Sequence, residues 1–205
     1  MNANYPVMLR LDGKKVVIIG GGKVAVRKVS GLLESGARII VICPEANEEL
    51  KQLVKEGQIE WQQKSFSKED ITDAFMIFAA TNDEKINQSV KRATADYQLV
   101  TIVDDPAGSD FHVPAHLQRG RLSIAVSTGG ASPMLARKIR EQFEQQFDTS
   151  YEDYLEFLFS TRKWILQEIE DPFIKRKLLT AIVSPDFFNS EDWEEDFRRL
   201  YKQFI

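Results

Sequence analysis

The sequence contains a single cysteine, Cys43, and no apolar run long enough to cross a membrane. One thiol excludes an internal disulfide framework and a multi-thiolate metal site within one chain. We expect Cys43 to be structural or to lie near a cofactor. The N-terminal segment also lacks a long apolar stretch, so we expect no signal peptide, no membrane partner and a cytoplasmic location.

An excess of positive charge is missing as well. The chain has 27 basic and 31 acidic residues and a formal net charge of -4. Proteins that bind nucleic acid through bulk charge are usually basic, so we expect no nucleic-acid partner. Histidine is scarce: His112 and His116 are four residues apart, but Pro114 between them argues against one continuous helix. We therefore predict no metal site.

The composition that remains is that of a globular protein. Of 205 residues, 43% are hydrophobic, which suffices for one domain or one domain with a small companion. A β-branched run at 16–19 ends in three glycines and precedes a helical pattern that should stop at Gly36. Further strands are predicted at 38–42, 58–62, 75–80 and 99–103, and further helices at 46–56 and 83–96. This alternation predicts an α/β fold with a doubly wound parallel sheet.

The pattern changes after residue 103. We predict a loop over 104–120, a strand over 122–126, a helix over 134–147 and further helices through 150–205. Ser132 and Pro133 supply the capping hydroxyl and the first-turn proline that are typical of a helix start.

The glycine-rich turn has the pattern of a dinucleotide fingerprint, because it lies between a strand and a helix. Gly20 permits the sharp turn, Gly22 lets the backbone approach a pyrophosphate, and Ala25 allows close packing of helix on strand. Lys23 suits the phosphates of NAD or NADP. The alternative is an ordinary glycine turn in an α/β protein.

Polar residues follow the next two strands of this pattern. Glu45, in the sequence Cys43, Pro44, Glu45, is placed to bind the adenine-ribose hydroxyls and to repel a 2′-phosphate, which favours NAD over NADP. The alternative is that Glu45 only begins the next helix. The polar residues after the strand at 75–80 either contact the second ribose or the nicotinamide, or cap the following helix; they are Thr81, Asn82 and Asp83.

Two carboxylates, Asp104 and Asp105, stand at the end of the strand at 99–103. A carboxylate there is suited to act as a general base while a hydride leaves the substrate, and the alternative is a turn-forming Asp-Pro pair. Further on, residues 114–140 carry five basic and no acidic side chains. That stretch is suited to a small polyanion, although a solvated basic face or a subunit contact has the same composition.

Several motifs occur together in one order: GGGKVAVRK at 20–28, VDDP at 103–106 and STGGASPMLAR at 127–137. With Phe111, Pro114, Ala115, Arg119 and Gly120, this series resembles the precorrin-2 dehydrogenase family of siroheme biosynthesis. The chain is similar to the stand-alone bacterial form and to the N-terminal module of the multifunctional siroheme synthase, over about residues 5–140.

The resemblance implies NAD-dependent oxidation of precorrin-2 to sirohydrochlorin by a homodimer. It implies a Rossmann-type NAD-binding domain over 1–113, a dimerisation segment over 114–147 and a small all-helical C-terminal domain over 148–205. At this length we expect no fused methyltransferase module.

The resemblance also assigns roles to residues. Asp104 is the implied catalytic base in preference to Asp105, and the implied cofactor contacts are Lys23, Val24, Pro44 and Glu45. Because precorrin-2 is a polycarboxylate, the acid-free stretch becomes its expected binding region. The candidate substrate residues there are Arg119, Arg121, Thr128 and Arg137.

Two departures from the family pattern are visible. Thr101 stands where relatives often carry Asn, and Thr128 where they often carry a second Ser. We therefore expect local hydrogen bonding to differ at Thr101, and no regulation by serine modification at Thr128. Two other functions remain open: a bifunctional dehydrogenase and ferrochelatase, and a non-catalytic NAD-sensing module.

Overall fold

The computed structural model describes residues 4–204, which divide into two compact units at residues 113 and 114. The first unit contains five strands: β1 (Lys15–Ile19), β2 (Arg38–Ile42), β3 (Glu60–Gln62), β4 (Met76–Ala79) and β5 (Leu99–Ile102). Its helices are α1 (Lys23–Ser30), α2 (Glu48–Lys55) and α3 (Glu84–Ala93). All strand pairs are parallel, in the order β3-β2-β1-β4-β5. The predicted parallel sheet is confirmed.

Both faces of this sheet are covered, which explains its continuous apolar strands. On β1, Val16 and Ile18 point to one face and pack in a core with residues of α1 and α2. Val17 and Ile19 point to the opposite face and pack with residues of α3. The central strands are therefore buried on both sides, and polar residues collect at their ends.

The helix predicted to continue to Gly36 is shorter than expected. α1 ends at Ser30 with Gly31 as its C-cap, and a separate 3-10 turn over Leu33–Ser35 ends at Gly36, whose φ is +71°. A glycine costs about 1 kcal/mol relative to alanine inside a helix. Gly31 therefore favours a break, after which Leu32 turns into the core.

The second unit begins with a β-hairpin formed by β6 (Ala115–Arg119) and β7 (Leu122–Val126), which pair in antiparallel register. The prediction of a loop over 104–120 is therefore wrong for residues 115–119. The signal was weak because only Leu117 of β6 is buried, which leaves little apolar alternation to detect.

Helices make up the rest of the second unit, in agreement with the predicted helical C-terminal region. They are α4 (Pro133–Gln146), α5 (Ser150–Glu168), α6 (Pro172–Ala181), α7 (Pro185–Phe188) and α8 (Trp193–Lys202). Ile165, Leu178 and Ile182 form the centre of their core. Within residues 4–204, no helix combines the length and apolarity needed to cross a membrane.

Candidate functional site

A cavity of about 600 Å³ lies at the carboxyl ends of β1, β2 and β4. In doubly wound folds this edge is where nucleotides bind. Most of the predicted cofactor residues line the cavity: Gly20, Gly22, Lys23, Val24, Pro44, Glu45, Thr81 and Asn82. Residues as far apart in the chain as Gly20 and Asn82 therefore meet at one edge of the sheet, as expected for residues that follow parallel strands.

The three glycines of the turn have different structural roles. Gly20 has φ +126°, and a β-carbon there would lie 2.3 Å from the carbonyl oxygen of Ala80. A β-carbon on Gly21 would lie 2.1 Å from the carbonyl oxygen of Glu45. A β-carbon on Gly22 would meet nothing within 4 Å, and its φ of -88° suits any residue. The fold therefore requires the first two glycines, and Gly22 leaves open space at the cavity.

The N-terminus of α1 begins directly after this turn, with Gly22 as its N-cap. Its first turn holds no acidic side chain, and Lys23 is exposed at its first position. Free backbone N–H groups, a positive helix end and a lysine together favour an anion. This arrangement fits the pyrophosphate of a dinucleotide.

The loop after β2 forms the next wall of the cavity. α2 begins only at Glu48, where the side chain of Asn47 accepts a hydrogen bond of 2.8 Å from the backbone N–H of Glu49. Glu45 therefore lies in the loop and not in the helix, and its side chain is exposed. This carboxylate is available to ribose hydroxyls.

Some lining residues were missed by sequence reasoning, among them Gly21, Ser65 and Phe66. Ser65 and Phe66 follow β3. The expectation that ligands bind at the carboxyl ends of parallel strands, which identified Glu45, would have identified these two residues as well. No sequence signal separated Gly21 from the other glycines, because its close neighbour is the backbone of a distant loop.

Cys43 also lines the cavity and is buried. Burial raises the pKa of the Cys43 thiol above its ordinary value, and a smaller effect of Trp61 opposes this rise. The indole Nε1 of Trp61 donates to the Cys43 carbonyl at 3.1 Å and so fixes the end of β2. The thiol is therefore held in its neutral form at neutral pH.

Two predicted cofactor residues do not line the cavity. Ala25 is fully buried in the core between α1 and the sheet. Asp83 caps α3, where its Oδ1 accepts bonds from the backbone N–H groups of Lys85 at 2.8 Å and Ile86 at 3.3 Å. Of the two roles considered for Asp83, the structure displays helix capping.

Asp104 stands in the turn that follows β5 and is exposed. The backbone N–H of the preceding residue, Val103, donates to the carbonyl of Ala79 at 3.1 Å, and Ala80 lines the cavity. Asp105 is engaged differently, because its Oδ1 accepts a bond of 2.9 Å from the Gly108 N–H. Of this pair, Asp104 is thus the exposed carboxylate, although it is not among the residues that line the cavity.

The turn that carries Asp104 is anchored to β5 by polar side chains. Ser109 Oγ accepts from the Ile102 N–H at 2.9 Å, and Asp110 Oδ2 accepts from the Val100 N–H at 2.9 Å. The hydroxyl of Thr101 lies 3.5 Å from Ser109 Oγ. β5 is an edge strand, and these side-chain oxygens bind backbone N–H groups that a neighbouring strand would otherwise bind.

The candidate substrate arginines lie in the second unit and are ion-paired. The partners lie outside the acid-free stretch 114–140: Arg119 pairs with Glu144, Arg121 with Glu156 and Arg137 with Glu141. Counting charge over 114–140 alone therefore overstated the free positive charge. The Arg119 side chain is only 21% exposed, whereas those of Arg121 and Arg137 are 43% and 77% exposed. Exposed ion pairs contribute about 1 kcal/mol or less, so a polycarboxylate can compete for Arg121 and Arg137.

Thr128 uses its hydroxyl within its own loop. Thr128 Oγ1 donates to the Ser132 carbonyl at 3.0 Å and accepts from the Ser132 N–H at 3.1 Å. Gly129 and Gly130 between them have φ of +59° and +86°. The loop is therefore closed by the threonine, immediately before α4 begins.

A metal-binding cluster is not found among residues 4–204, in which no three His, Cys, Asp or Glu side chains are grouped suitably. His112 lies in the coil before the hairpin, and His116 lies on β6.

Two family models match the sequence. A model described as NAD(P)-binding matches residues 7–115, and a model for the central part of sirohaem biosynthesis proteins matches residues 119–146. The first match contains the glycine turn and Asp104, and the second contains the STGGASP loop and α4.

Similar proteins extend this result over nearly the whole chain. The precorrin-2 dehydrogenase of Priestia megaterium is 37% identical over 200 residues, 98% of this chain and 99% of that protein. The precorrin-2 dehydrogenase of Bacillus subtilis (strain 168) is 32% identical over 77% of this chain and 98% of its own length. The siroheme synthase of Nitrosococcus oceani is 35% identical over 93% of this chain, which spans 42% of that longer protein.

A solved structure shows the same fold. "SirC, precorrin-2 dehydrogenase" has a TM-score of 0.83 and 34% sequence identity, covering 98% of this chain and all of that one. With its glycine turn, its cofactor-sized cavity and these matches, the chain belongs to the precorrin-2 dehydrogenase family.

Proposed function

We propose that this protein oxidises precorrin-2 to sirohydrochlorin with NAD as the hydride acceptor, in siroheme biosynthesis. The observation that carries the proposal is the position of Asp104. It directly follows Val103, whose N–H donates to the carbonyl of Ala79 at the end of β4, and Ala80 lines the nucleotide cavity. Near full-length similarity to precorrin-2 dehydrogenases supports the same substrate.

In this mechanism the chain binds NAD at the carboxyl edge of the sheet. Gly22, Lys23 and Val24, at the start of α1, would hold the pyrophosphate, and Glu45 would hold the adenine ribose. NAD supplies the hydride acceptor for the two-electron oxidation. The carboxylate of Asp104 accepts the proton that leaves the macrocycle, so that substrate loses one hydride and one proton.

The preference for NAD over NADP follows from Glu45. An exposed carboxylate in the loop after β2 attracts ribose hydroxyls and repels a 2′-phosphate. Among the lining residues, Lys23 is the basic side chain, and it belongs to the pyrophosphate end of the cavity.

The substrate carboxylates are proposed to bind Arg119, Arg121 and Arg137, in exchange for the glutamates that these arginines now contact. Thr128 contributes by shaping the loop that precedes α4. We also propose a homodimer in which residues 114–147 join the subunits, with residues 148–205 as a helical C-terminal domain, and a cytoplasmic location.

The direct test supplies precorrin-2 with NAD or NADP in parallel and follows NADH or NADPH absorbance. We expect NADH to form with NAD and a slower reaction with NADP. Binding of NAD without turnover would overturn the enzymatic proposal in favour of an NAD-sensing module.

A second assay with the same protein preparation tests the alternative that the protein is also a ferrochelatase. Sirohydrochlorin and Fe²⁺ or Co²⁺ are supplied without NAD, and the absorbance of the metallated product is followed. We expect insertion at the spontaneous rate. Insertion well above that rate would show a second activity beside the dehydrogenase.

A further inference from the structure

Asn87 on α3 is a fully buried amide, with 1% of its surface exposed. A buried amide must find hydrogen-bond partners, because an unpaired one costs free energy. Asn87 Oδ1 accepts from the Thr81 N–H at 3.2 Å and from Thr81 Oγ1 at 2.8 Å. Asn87 Nδ2 donates to the Thr81 carbonyl at 3.0 Å. One side chain thus binds the backbone donor, the backbone acceptor and the hydroxyl of one residue.

Thr81 lies in the loop that follows β4 and lines the cavity together with Asn82. The Thr81 hydroxyl accepts from the Asp83 N–H at 3.2 Å, and the Asp83 carbonyl at 3.0 Å is a second acceptor for the single proton that this hydroxyl shares with Asn87 Oδ1. The loop is therefore tied to α3 at both of its ends, because Asp83 is the N-cap of that helix. The Asn87 amide therefore fixes the conformation of this loop through bonds within the protein.

The position of this loop relates it to one half of the dinucleotide. The strand order places β2 and β3 on one side of β1, and β4 and β5 on the other. In this class of fold, one mononucleotide lies over each half, and the pyrophosphate crosses at the switch point. Glu45 and Phe66 belong to the β2 and β3 side, which leaves Thr81 and Asn82 to the nicotinamide side.

We propose that Asn87 is a positioning residue for the nicotinamide half of the cofactor, acting through Thr81. The inference rests on the proposed NAD-dependent function. Asn87 holds the Thr81–Asn82 backbone in the form that the nicotinamide riboside meets, without touching the cofactor itself. The adenosine half contacts other loops and does not depend on this amide.

Gln98 offers a matched control within the same unit. Its side chain is also a buried amide, 4% exposed, and it donates to the backbone carbonyls of Ile71 and Ala74. Its Oε1 accepts from the Ala95 N–H at 2.9 Å. None of these residues is among those that line the cavity. Replacing Gln98 thus removes a comparable set of buried bonds remote from the cofactor.

The experiment compares Asn87→Leu, the milder Asn87→Ser and Gln98→Leu in the full chain. Melting temperature is measured together with the dissociation constants of NAD and of ADP, which shares only the adenosine and pyrophosphate. We expect both Asn87 variants to bind NAD about tenfold or more weakly and ADP within about twofold of the unmodified protein. Gln98→Leu should lower the melting temperature but leave both dissociation constants unchanged.

The ratio of NAD to ADP affinity decides the result. If NAD and ADP affinities fall equally, or if the ratio of the two affinities is unchanged in Asn87→Ser, then Asn87 has only a structural role. If Asn87→Leu does not fold, the same ratio is measured on the serine variant alone, because serine keeps a polar group at the buried position but lacks the amide that binds both the N–H and the carbonyl of Thr81. Failure of the unmodified protein to bind NAD would instead overturn the proposed function, so the two failures are distinguishable.

Discussion

The backbone of Gly21 passes so close to the loop after β2 that a β-carbon there would lie 2.1 Å from the Glu45 carbonyl oxygen and 2.7 Å from Cys43 Sγ. The Gly21 carbonyl in turn accepts a hydrogen bond of 2.8 Å from the Asn47 N–H. The turn after β1 and the loop after β2 are thus one packed unit. The position of Glu45 depends on a residue that the fingerprint pattern leaves unspecified.

Gly21→Ala should therefore displace the loop that carries Glu45. We expect the free energy of unfolding to fall by about 1–3 kcal/mol, as in other overpacked sites, and NAD affinity to fall with it. The matched control is Gly22→Ser, whose β-carbon meets nothing within 4 Å and whose hydroxyl suits the N-cap position. Denaturant unfolding measures both variants, and equal stabilities would contradict the close approach.

Gly22→Asp tests the pyrophosphate position separately from folding. Gly22 is the N-cap of α1, where aspartate is more favourable than glycine by about a few tenths of a kcal/mol, so the fold should survive. A negative charge there repels the pyrophosphate, and we expect NAD affinity to fall at least about tenfold. Gly22→Ser is the neutral control. Titration calorimetry showing unchanged affinity in the aspartate variant would refute the fingerprint assignment.

Asp104→Ala should abolish proton transfer while leaving the cofactor site intact. We expect kcat to fall by about 10²–10⁴-fold and the NAD dissociation constant to remain within about twofold. Asp96 is the control carboxylate, because it is exposed and precedes β5, at the opposite end of the same strand. Steady-state NADH formation measures both, and normal turnover in Asp104→Ala would remove this residue from the mechanism.

Cys43 provides a readout of NAD binding that does not need substrate. Because burial raises the thiol pKa above its ordinary value of 9.0, less thiolate is present at a given pH than in a free cysteine. We expect slow alkylation by iodoacetamide at pH 8, a rate that still increases above pH 9, and protection by NAD. Mass spectrometry follows the label, with Cys43→Ala as the blank. Rapid labelling that NAD does not slow would place the cofactor elsewhere.

Arg137→Gln tests the proposal that Arg137 binds a carboxylate of the substrate. Its side chain is 77% exposed and paired with Glu141 on the same helix, so the substitution should change stability by less than about 0.5 kcal/mol. We expect KM for precorrin-2 to increase several-fold, with unchanged NAD affinity and a weaker dependence of KM on salt. Arg162→Gln, an exposed arginine of α5, is the control. A KM equal to that of the control would show that Arg137 does not contact the substrate.

Periodicity predicted the first unit well because four of its strands, β1, β2, β4 and β5, consist mainly of buried residues, whereas the edge strand β3 is mostly exposed. The run at 38–42 corresponds to β2 with the same bounds, and the strand at 75–80 contains β4. The hairpin strand over residues 115–119 was missed, because a strand with one buried side chain carries almost no apolar signal. Composition and propensity likewise extended α1 beyond the break at Gly31.

The sequence also predicted most of the cofactor residues that line the cavity, because the carboxyl ends of parallel strands lie at the same edge of the sheet. It did not distinguish Asp83, a helix cap, from Thr81 and Asn82, because all three follow the same strand. It did not reveal that the basic stretch is paired, because the partner glutamates lie after residue 140.

By itself, the sequence determined the parallel α/β fold, the glycine turn and the acidic end of β5, because these depend on local periodicity and on the order of strands. Only the tertiary structure decided which glycine contacts the next loop, which carboxylate stays exposed and which amide holds Thr81. Steric approach and hydrogen bonding between loops depend on atoms brought together by packing, and no pattern of neighbouring residues records those distances.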